Sequence, residues 1–202
     1  MKIALLSKDF RNGEGVSEYC KSLAETLVQE GHNVAIFAFD DGEYYEIDDR
    51  VCVYRVPLHF EGNNIYNWAM MLNNEIKGQV KEIAEEKGID LIHANDWATI
   101  PGGIALSKHF EIPFVVTIHS TENERGFEGK HAQLISEMEW NGGFEADKIF
   151  TTKEDTKNSI LFDLDVPGSK VEVADPYSHD WEKRVLNRYE ELVKQEEELP
   201  TV

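Results

Sequence analysis

The sequence is short of cysteine, of cations and of long apolar runs, and each shortage removes a class of protein. Cys20 and Cys52 are its two cysteines. Their spacing fits no zinc-binding pattern and both lie in apolar surroundings, so they are expected to be reduced, buried small hydrophobes, as suits a cytoplasmic protein. Lys and Arg number 20 against 39 Asp and Glu, a formal net charge of −19. A field of that sign repels nucleic acid and anionic lipid at long range, and no Lys/Arg cluster offsets it. No stretch approaches the roughly 20 apolar residues that a membrane helix needs. The first strand-like run begins at Lys2, so no signal peptide is expected. There is no Gly-x-Ser-x-Gly elbow, no His-Glu-x-x-His and no P-loop Gly-Lys-Ser/Thr. His32, His59, His109 and His131 lack ligand spacing, so no metal is expected. Glu137 and Glu139 stand at i and i+2 of a predicted helix and point to different faces, which makes a catalytic carboxylate pair unlike them.

What is present is an alternation of strand and helix patterns along 202 residues. That order predicts one α/β domain with a doubly wound, mostly parallel sheet. Strands are expected at 2–7, 34–39, 51–56, 89–93, 113–118, 148–152 and 171–173. Helices are expected after Gly15, over about 64–87 and 100–110, near 131–143, over 154–164, and from about Ser178 to Glu198. Gly31 takes a left-handed C-cap position and Pro101 a first turn. Asn73, Asn74 and Gly78 weaken the middle of the second helix. The last helix aligns Trp181, Val185, Tyr189 and Leu192 on one face and is charged elsewhere, so it should dock on the domain.

Two strand ends concentrate polar groups: His93-Ala94-Asn95-Asp96-Trp97 and His119-Ser120-Thr121-Glu122, with Arg125 close behind. Ligands of open parallel sheets bind outside the carboxyl ends of the strands, so the two clusters mark one cleft. His93, Asn95, Asp96 and Trp97 join hydrogen-bonding groups to an aromatic plane, which suits a carbohydrate. Asp96 fits equally the N-cap of the next helix. His119 reads as a ligand contact by its place at a strand end, or as a buried structural histidine. Asn12-Gly13-Glu14-Gly15 lies between the first strand and a helix, where freed backbone amides can hold a phosphate or a sugar hydroxyl. A plain tight turn accounts for it as well, and the Glu14 carboxylate opposes an anion there.

In order along the chain, six segments resemble the N-terminal domain of retaining GT-B glycosyltransferases, in the glycogen/starch synthase branch and its archaeal-type relatives. They are the Gly-rich loop with Val16-Ser17-Glu18-Tyr19, Leu23-Ala24-Glu25-Thr26-Leu27 before Gly31-His32, and His93-Ala94-Asn95-Asp96-Trp97. Thr117-Ile118-His119-Ser120-Thr121-Glu122, Glu137-Met138-Glu139-Trp140 and Glu145-Ala146-Asp147-Lys148-Ile149 follow. The resemblance implies a Rossmann-like domain that faces a second one across a cleft and receives an acceptor glucan. It implies a donor such as ADP- or UDP-glucose, no other cofactor and no metal. Gly13 and Gly15 would lie near the donor diphosphate. Asp96 and His119 would wall the transferred sugar, and His93, Asn95, Trp97, Ser120, Thr121 and Glu122 would serve as substrate contacts.

Departures from the family pattern are Glu14 in place of a glycine, Asn95 where a second histidine is common, and Asn141 where a second aromatic often stands. After Val171-Glu172-Val173 the chain passes to Asp175-Pro176-Tyr177-Ser178-His179-Asp180-Trp181, which resembles the family's final segment. The expectation is therefore residues 1–173 as a Rossmann-like N-terminal domain and 174–202 as a junction and bracing helix, joined across a deleted donor domain. Such a chain would be the acceptor-side half of the transferase and inactive alone, a stand-alone engineered or excised non-catalytic domain, or a subunit that pairs with a donor-binding chain or with itself.

Overall fold

Short apolar β-branched runs separated by amphipathic helices give an all-parallel sheet, because each crossover helix returns the chain to the same edge. The computed structural model describes residues 1–59 and 62–198. Its strands are β1 (Lys2–Ser7), β2 (Asn33–Phe39), β3 (Cys52–Val56), β4 (Leu91–Asn95), β5 (Phe114–Ile118), β6 (Lys148–Thr151) and β7 (Val171–Val173). The helices are α1 (Gly15–Gln29), α2 (Ile65–Lys87), α3 (Ile100–Phe110), α4 (Ala132–Glu145), α5 (Glu154–Asp163) and α6 (Trp181–Glu197). The strands lie in the order β3-β2-β1-β4-β5-β6-β7, every pair parallel. This is a Rossmann-like doubly wound α/β fold, with the winding direction reversed between β1 and β4.

The core has two parts. One joins α1 and α6 to the sheet through Tyr19, Leu23, Leu27, Trp181, Val185 and Tyr189. The other holds Leu72, Ile76 and Val80 of α2, Leu106 of α3 and Ile160 of α5. β4 and β5 are buried along their whole length, as central strands covered on both faces must be. α1 ends in a Schellman arrangement: Gly31 has φ of 87°, its N–H reaches Val28 O at 3.2 Å, and His32 N reaches Leu27 O at 3.0 Å.

Several details depart from the sequence expectation. Cys20 is buried, but Cys52 is exposed, because it opens the edge strand β3. β4 runs to Asn95, which puts His93 inside the strand. α6 begins at Trp181, since the preceding residues form a turn in which Ser178 N bonds Asp175 O at 3.0 Å and Asp180 has φ of 55°. Asn73, which weakens the helix pattern of α2, is a buried joint. Its amide donates to Ala69 O at 2.7 Å and to Ala98 O at 2.6 Å, and its Oδ1 accepts from Gly102 N at 2.6 Å.

α6 is integral to one face of the sheet. Trp181, Val185, Leu186 and Tyr189 are buried, and Leu192 packs against the same cluster. Ser22 Oγ donates to Glu182 Oε1 at 2.6 Å, and Arg188 Nε to Glu172 Oε2 at 2.9 Å. Truncating a buried Trp to Ala costs about 3–5 kcal/mol, a large part of an ordinary domain's stability of about 5–15 kcal/mol. A chain ending at Asp175 is therefore expected to be insoluble or to melt far below the full chain, with Trp181→Ala between them. Thermal melts that agree within about a degree or two, when about 1 kcal/mol shifts Tm by several degrees, would overturn this.

Candidate functional site

The reversal between β1 and β4 opens a crevice at the carboxyl edge of the sheet, and two pockets flank the loop that follows β1. The first, of about 440 Å³, is lined by Lys8, Asp9 and Arg11 of that loop, Phe39 at the end of β2, Asp41 after it, and Trp68 of α2. Trp68 meets Phe39 edge-on, ring centroids 5.2 Å apart. Its charges are already paired: Lys8 with Asp9, Arg11 with Glu14 at 2.8 Å, and Arg55 with Asp41 at 3.4 Å. An aromatic wall beside mutually neutralised polar groups suits an uncharged, hydroxyl-rich ligand better than a phosphorylated one.

The second pocket, of about 540 Å³, is bounded by Gly15 and Tyr19 of α1, His119 after β5, Thr152 and Lys153 after β6, and the 173–177 segment. Gly15 opens α1, and nothing lies within 4 Å of where its Cβ would stand, so the first turn of the helix faces open space. Free N–H groups at a helix start favour an anion. Glu14 makes no capping bond and turns to Arg11 instead. Its charge is thus partly cancelled, while Arg11 is held away from any incoming anion.

His119 stands at the mouth of β5. Asp96 Oδ1 accepts from its main-chain N–H at 2.8 Å, and the Tyr19 ring meets it at a centroid distance of 5.0 Å and an angle of 89°. Its Nε2 is enclosed and has no hydrogen-bond partner among the described residues. A buried polar atom left unpaired is costly unless a ligand or water completes it. Burial pushes the pKa of the ring below its ordinary 6.5, against the pull of Asp96, so the imidazole is neutral at pH 7. Asp96 has φ of 60°, a left-handed conformation that Asp tolerates better than most residues. It is not the N-cap of α3; Thr99 is.

The other expected site residues serve the frame. His93 is fully buried, with Nε2 2.7 Å from Thr117 Oγ1 and Nδ1 bonded to the Tyr189 hydroxyl. It lies inside β4, enclosed by these partners. Asn95 is buried and donates to Leu6 O at 3.1 Å. Thr121 bonds Ser159 Oγ at 2.7 Å. Glu122 and Glu139 share Arg125, whose Nη2 lies 2.8 Å from Glu122 Oε2 and 2.7 Å from Glu139 Oε1. Arg125 also donates to Ser120 O at 2.6 Å and to Ser120 Oγ at 2.9 Å. Burial raises the Glu139 pKa, opposed by Arg125 and by the Glu122 N–H. These bonds pin the loop that carries His119. Gly13, with φ of 81°, and the half-buried Trp97 line neither pocket.

Sequence reasoning missed Trp68, Asp41 and the Lys8-Asp9-Arg11 cluster, and named Tyr19 only within a family-like segment. A polar cluster just after β1 was the available signal, since it repeats the pattern after β4 and β5. Among the described residues no cluster of three or more His, Cys, Asp or Glu is placed to hold a metal, and no helix is long and apolar enough to cross a membrane.

Two predictions follow from the geometry. Glu14→Gly removes a carboxylate from the loop and releases Arg11, so affinity for ADP or UDP is expected to rise from undetectable to weak, and Arg11→Ala in that background should abolish the gain. Calorimetry showing equal affinity with and without Glu14 would defeat the idea. For His93, burial pushes the pKa down to about 3, from an ordinary 6.5. Between those values the unfolded chain binds a proton that the folded chain refuses, so stability falls as pH falls through that window. The parent Tm should drop more steeply below pH 6.5 than that of His93→Gln; parallel curves would count against it.

The Glycosyltransferase Family 4 profile matches residues 13–176. An uncharacterized glycosyltransferase of Methanocaldococcus jannaschii is 31% identical over 200 residues, covering 96% of this chain and 50% of that protein. A glycogen synthase of Mycobacterium tuberculosis is 24% identical over 139 residues, covering 60% of this chain and 32% of that one. The chain thus spans half or less of the length of these curated relatives. Among solved structures, sucrose-phosphate synthase from Thermosynechococcus elongatus superposes with a TM-score of 0.71 at 18% identity, covering 87% of this chain and 48% of that one. A form of it designated 27_220_406_426 gives 0.68, also at 18% identity, covering 96% of this chain and 99% of that one. The catalytic domain of starch synthase IV from Arabidopsis thaliana, bound to ADP and acarbose, gives 0.58 at 11% identity, covering 86% of this chain and 51% of that one. These structures share the fold, and the profile match over most of the length places the chain in glycosyltransferase family 4.

Proposed function

We propose that this chain is the acceptor-side half of a retaining, glycogen-synthase-like hexosyltransferase that uses a nucleotide-sugar donor. The observation that carries the reading is the pair of pockets on either side of the β1–α1 loop, with the unpartnered Nε2 of His119 at the wall of one. The pocket at Trp68 would take the acceptor sugar, its ring on the indole and its hydroxyls on Asp9, Asp41 and Arg11. The pocket at His119 would take the transferred sugar, with Nε2 bonding a hydroxyl and Asp96 holding the His119 backbone in place. The donor diphosphate would lie at Gly15 and the start of α1, near Lys153.

Residues 1–173 would be the family's N-terminal domain, and 174–202 the junction and brace that complete it. The cytoplasm suits its reduced cysteines. By resemblance, the groups that bind the nucleotide and stabilise the leaving diphosphate belong to the other half of the cleft. Stabilising that charge is usually a large share of catalysis. The 202-residue chain alone is therefore expected to bind sugar and not to transfer it. The Arg11–Glu14 pair, which occupies the loop beside the expected diphosphate, favours a second reading as a domain that binds without catalysing.

Calorimetry with maltooligosaccharides tests the acceptor assignment: weak binding is expected, lost in Trp68→Ala. No binding by the parent chain would overturn it. Incubation with ADP-glucose or UDP-glucose and glycogen tests the rest, and nucleotide release that needs glycogen and scales with protein would refute the inactivity of the chain alone.

A further inference from the structure

Among the described residues the His119 ring makes no hydrogen bond that would hold its orientation, while its main-chain N–H is fixed by Asp96. What bounds the ring is Tyr19. The Tyr19 side chain is buried, lies edge-on to His119, and stacks on Trp181 of α6 with centroids 4.4 Å apart and planes at 27°. Its hydroxyl lies 3.3 Å from Thr117 Oγ1, which lies 2.7 Å from His93 Nε2, and His93 Nδ1 bonds the hydroxyl of Tyr189, also on α6. The terminal helix therefore reaches the end of β5 by two routes, one aromatic and one polar.

We propose that Tyr19 is a positioning residue that sets the His119 ring against the second pocket, and that Trp181 holds Tyr19 in place for it. Tyr19 does not act as an acid or base: burial raises its phenol well above the ordinary value of 10, so it stays protonated. Its contribution is a flat, rigid wall. Aromatic edge contacts of this kind fix relative ring orientation. The role of α6 would then extend past stability to the geometry of a pocket that it does not itself line. This inference rests on the reading of His119 as a sugar-facing residue for its functional meaning, although the packing relation stands apart from it.

The test follows the His119 ring by NMR in the 202-residue chain with labelled histidine, its signals assigned by their loss in His119→Gln. Tyr19→Phe keeps the wall and is expected to leave the His119 ring signals and titration close to those of the parent. Tyr19→Leu removes the wall; the His119 signals should shift and its titration midpoint rise toward the ordinary histidine value as water reaches the ring. Trp181→Phe, a milder change that keeps an aromatic stack, should move the His119 signals measurably while leaving those of His109 in place. A lower melting temperature in Tyr19→Leu with unchanged His119 signals would reduce Tyr19 to a packing residue and overturn the proposal. If Tyr19→Leu does not fold, an unmoved His119 in Trp181→Phe overturns it equally. Addition of maltooligosaccharide or UDP-glucose to the parent separates the two readings. A His119 ring that responds to Tyr19 and Trp181 but to neither sugar would leave positioning intact and refute the sugar-facing role.

Discussion

The reversal of winding between β1 and β4 is the constraint on which the rest of this structure depends. Because all seven strands are parallel, every strand delivers its loop to the same edge, and neighbouring loops would normally cover one another. Where the chain changes direction, the loops after β1 and β4 part to opposite sides and leave a crevice. The loop after β1 stands at that place, with a pocket on each side of it. The position of the site is thus a property of strand order, and its chemistry comes from the few residues that end the strands.

Electrostatics around the crevice run against the strongly acidic average of the chain. Lys8, Arg11, Arg55 and Arg125, drawn from only 20 basic residues, all stand at or near it. Each is paired with a carboxylate, so the crevice is polar and nearly neutral. The Arg125 cluster is the most buried example. Glu122 and Glu139 are almost fully enclosed and share one guanidinium, an arrangement that would be costly without it. It holds the loop after β5 in a single shape, and with it the backbone at His119.

Membership of glycosyltransferase family 4 gives these features a setting, and the short form of sucrose-phosphate synthase shows a solved chain of matching extent with the same fold. α6 is what lets the sheet face of α1 stay buried here, through Trp181, Val185 and Tyr189. Its packing partner Tyr19 belongs at once to the core and to the wall of a pocket, so stability and site geometry are not separable in this part of the molecule.

The strand–helix alternation, the cap at Gly31, the apolar stripe of α6 and the family were all readable from the sequence, because periodicity, glycine conformation and motif order are local or linear properties. Of the two polar clusters at strand ends, one contributes His119 to a pocket, while His93, Asn95, Asp96 and Trp97 line neither pocket. The roles of single residues were not readable. His93, Asn95, Thr121 and Glu122 read as ligand contacts, yet their partners are Tyr189, Leu6, Ser159 and Glu139 with Arg125, most of them far along the chain. Asn73 read as a weakness in a helix and is a joint between two helices. Trp68 read as a helix residue and lines a pocket with side chains from two other loops. Whether a polar side chain faces a ligand or a neighbour depends on which distant segment packs against it, and only the tertiary structure decides that.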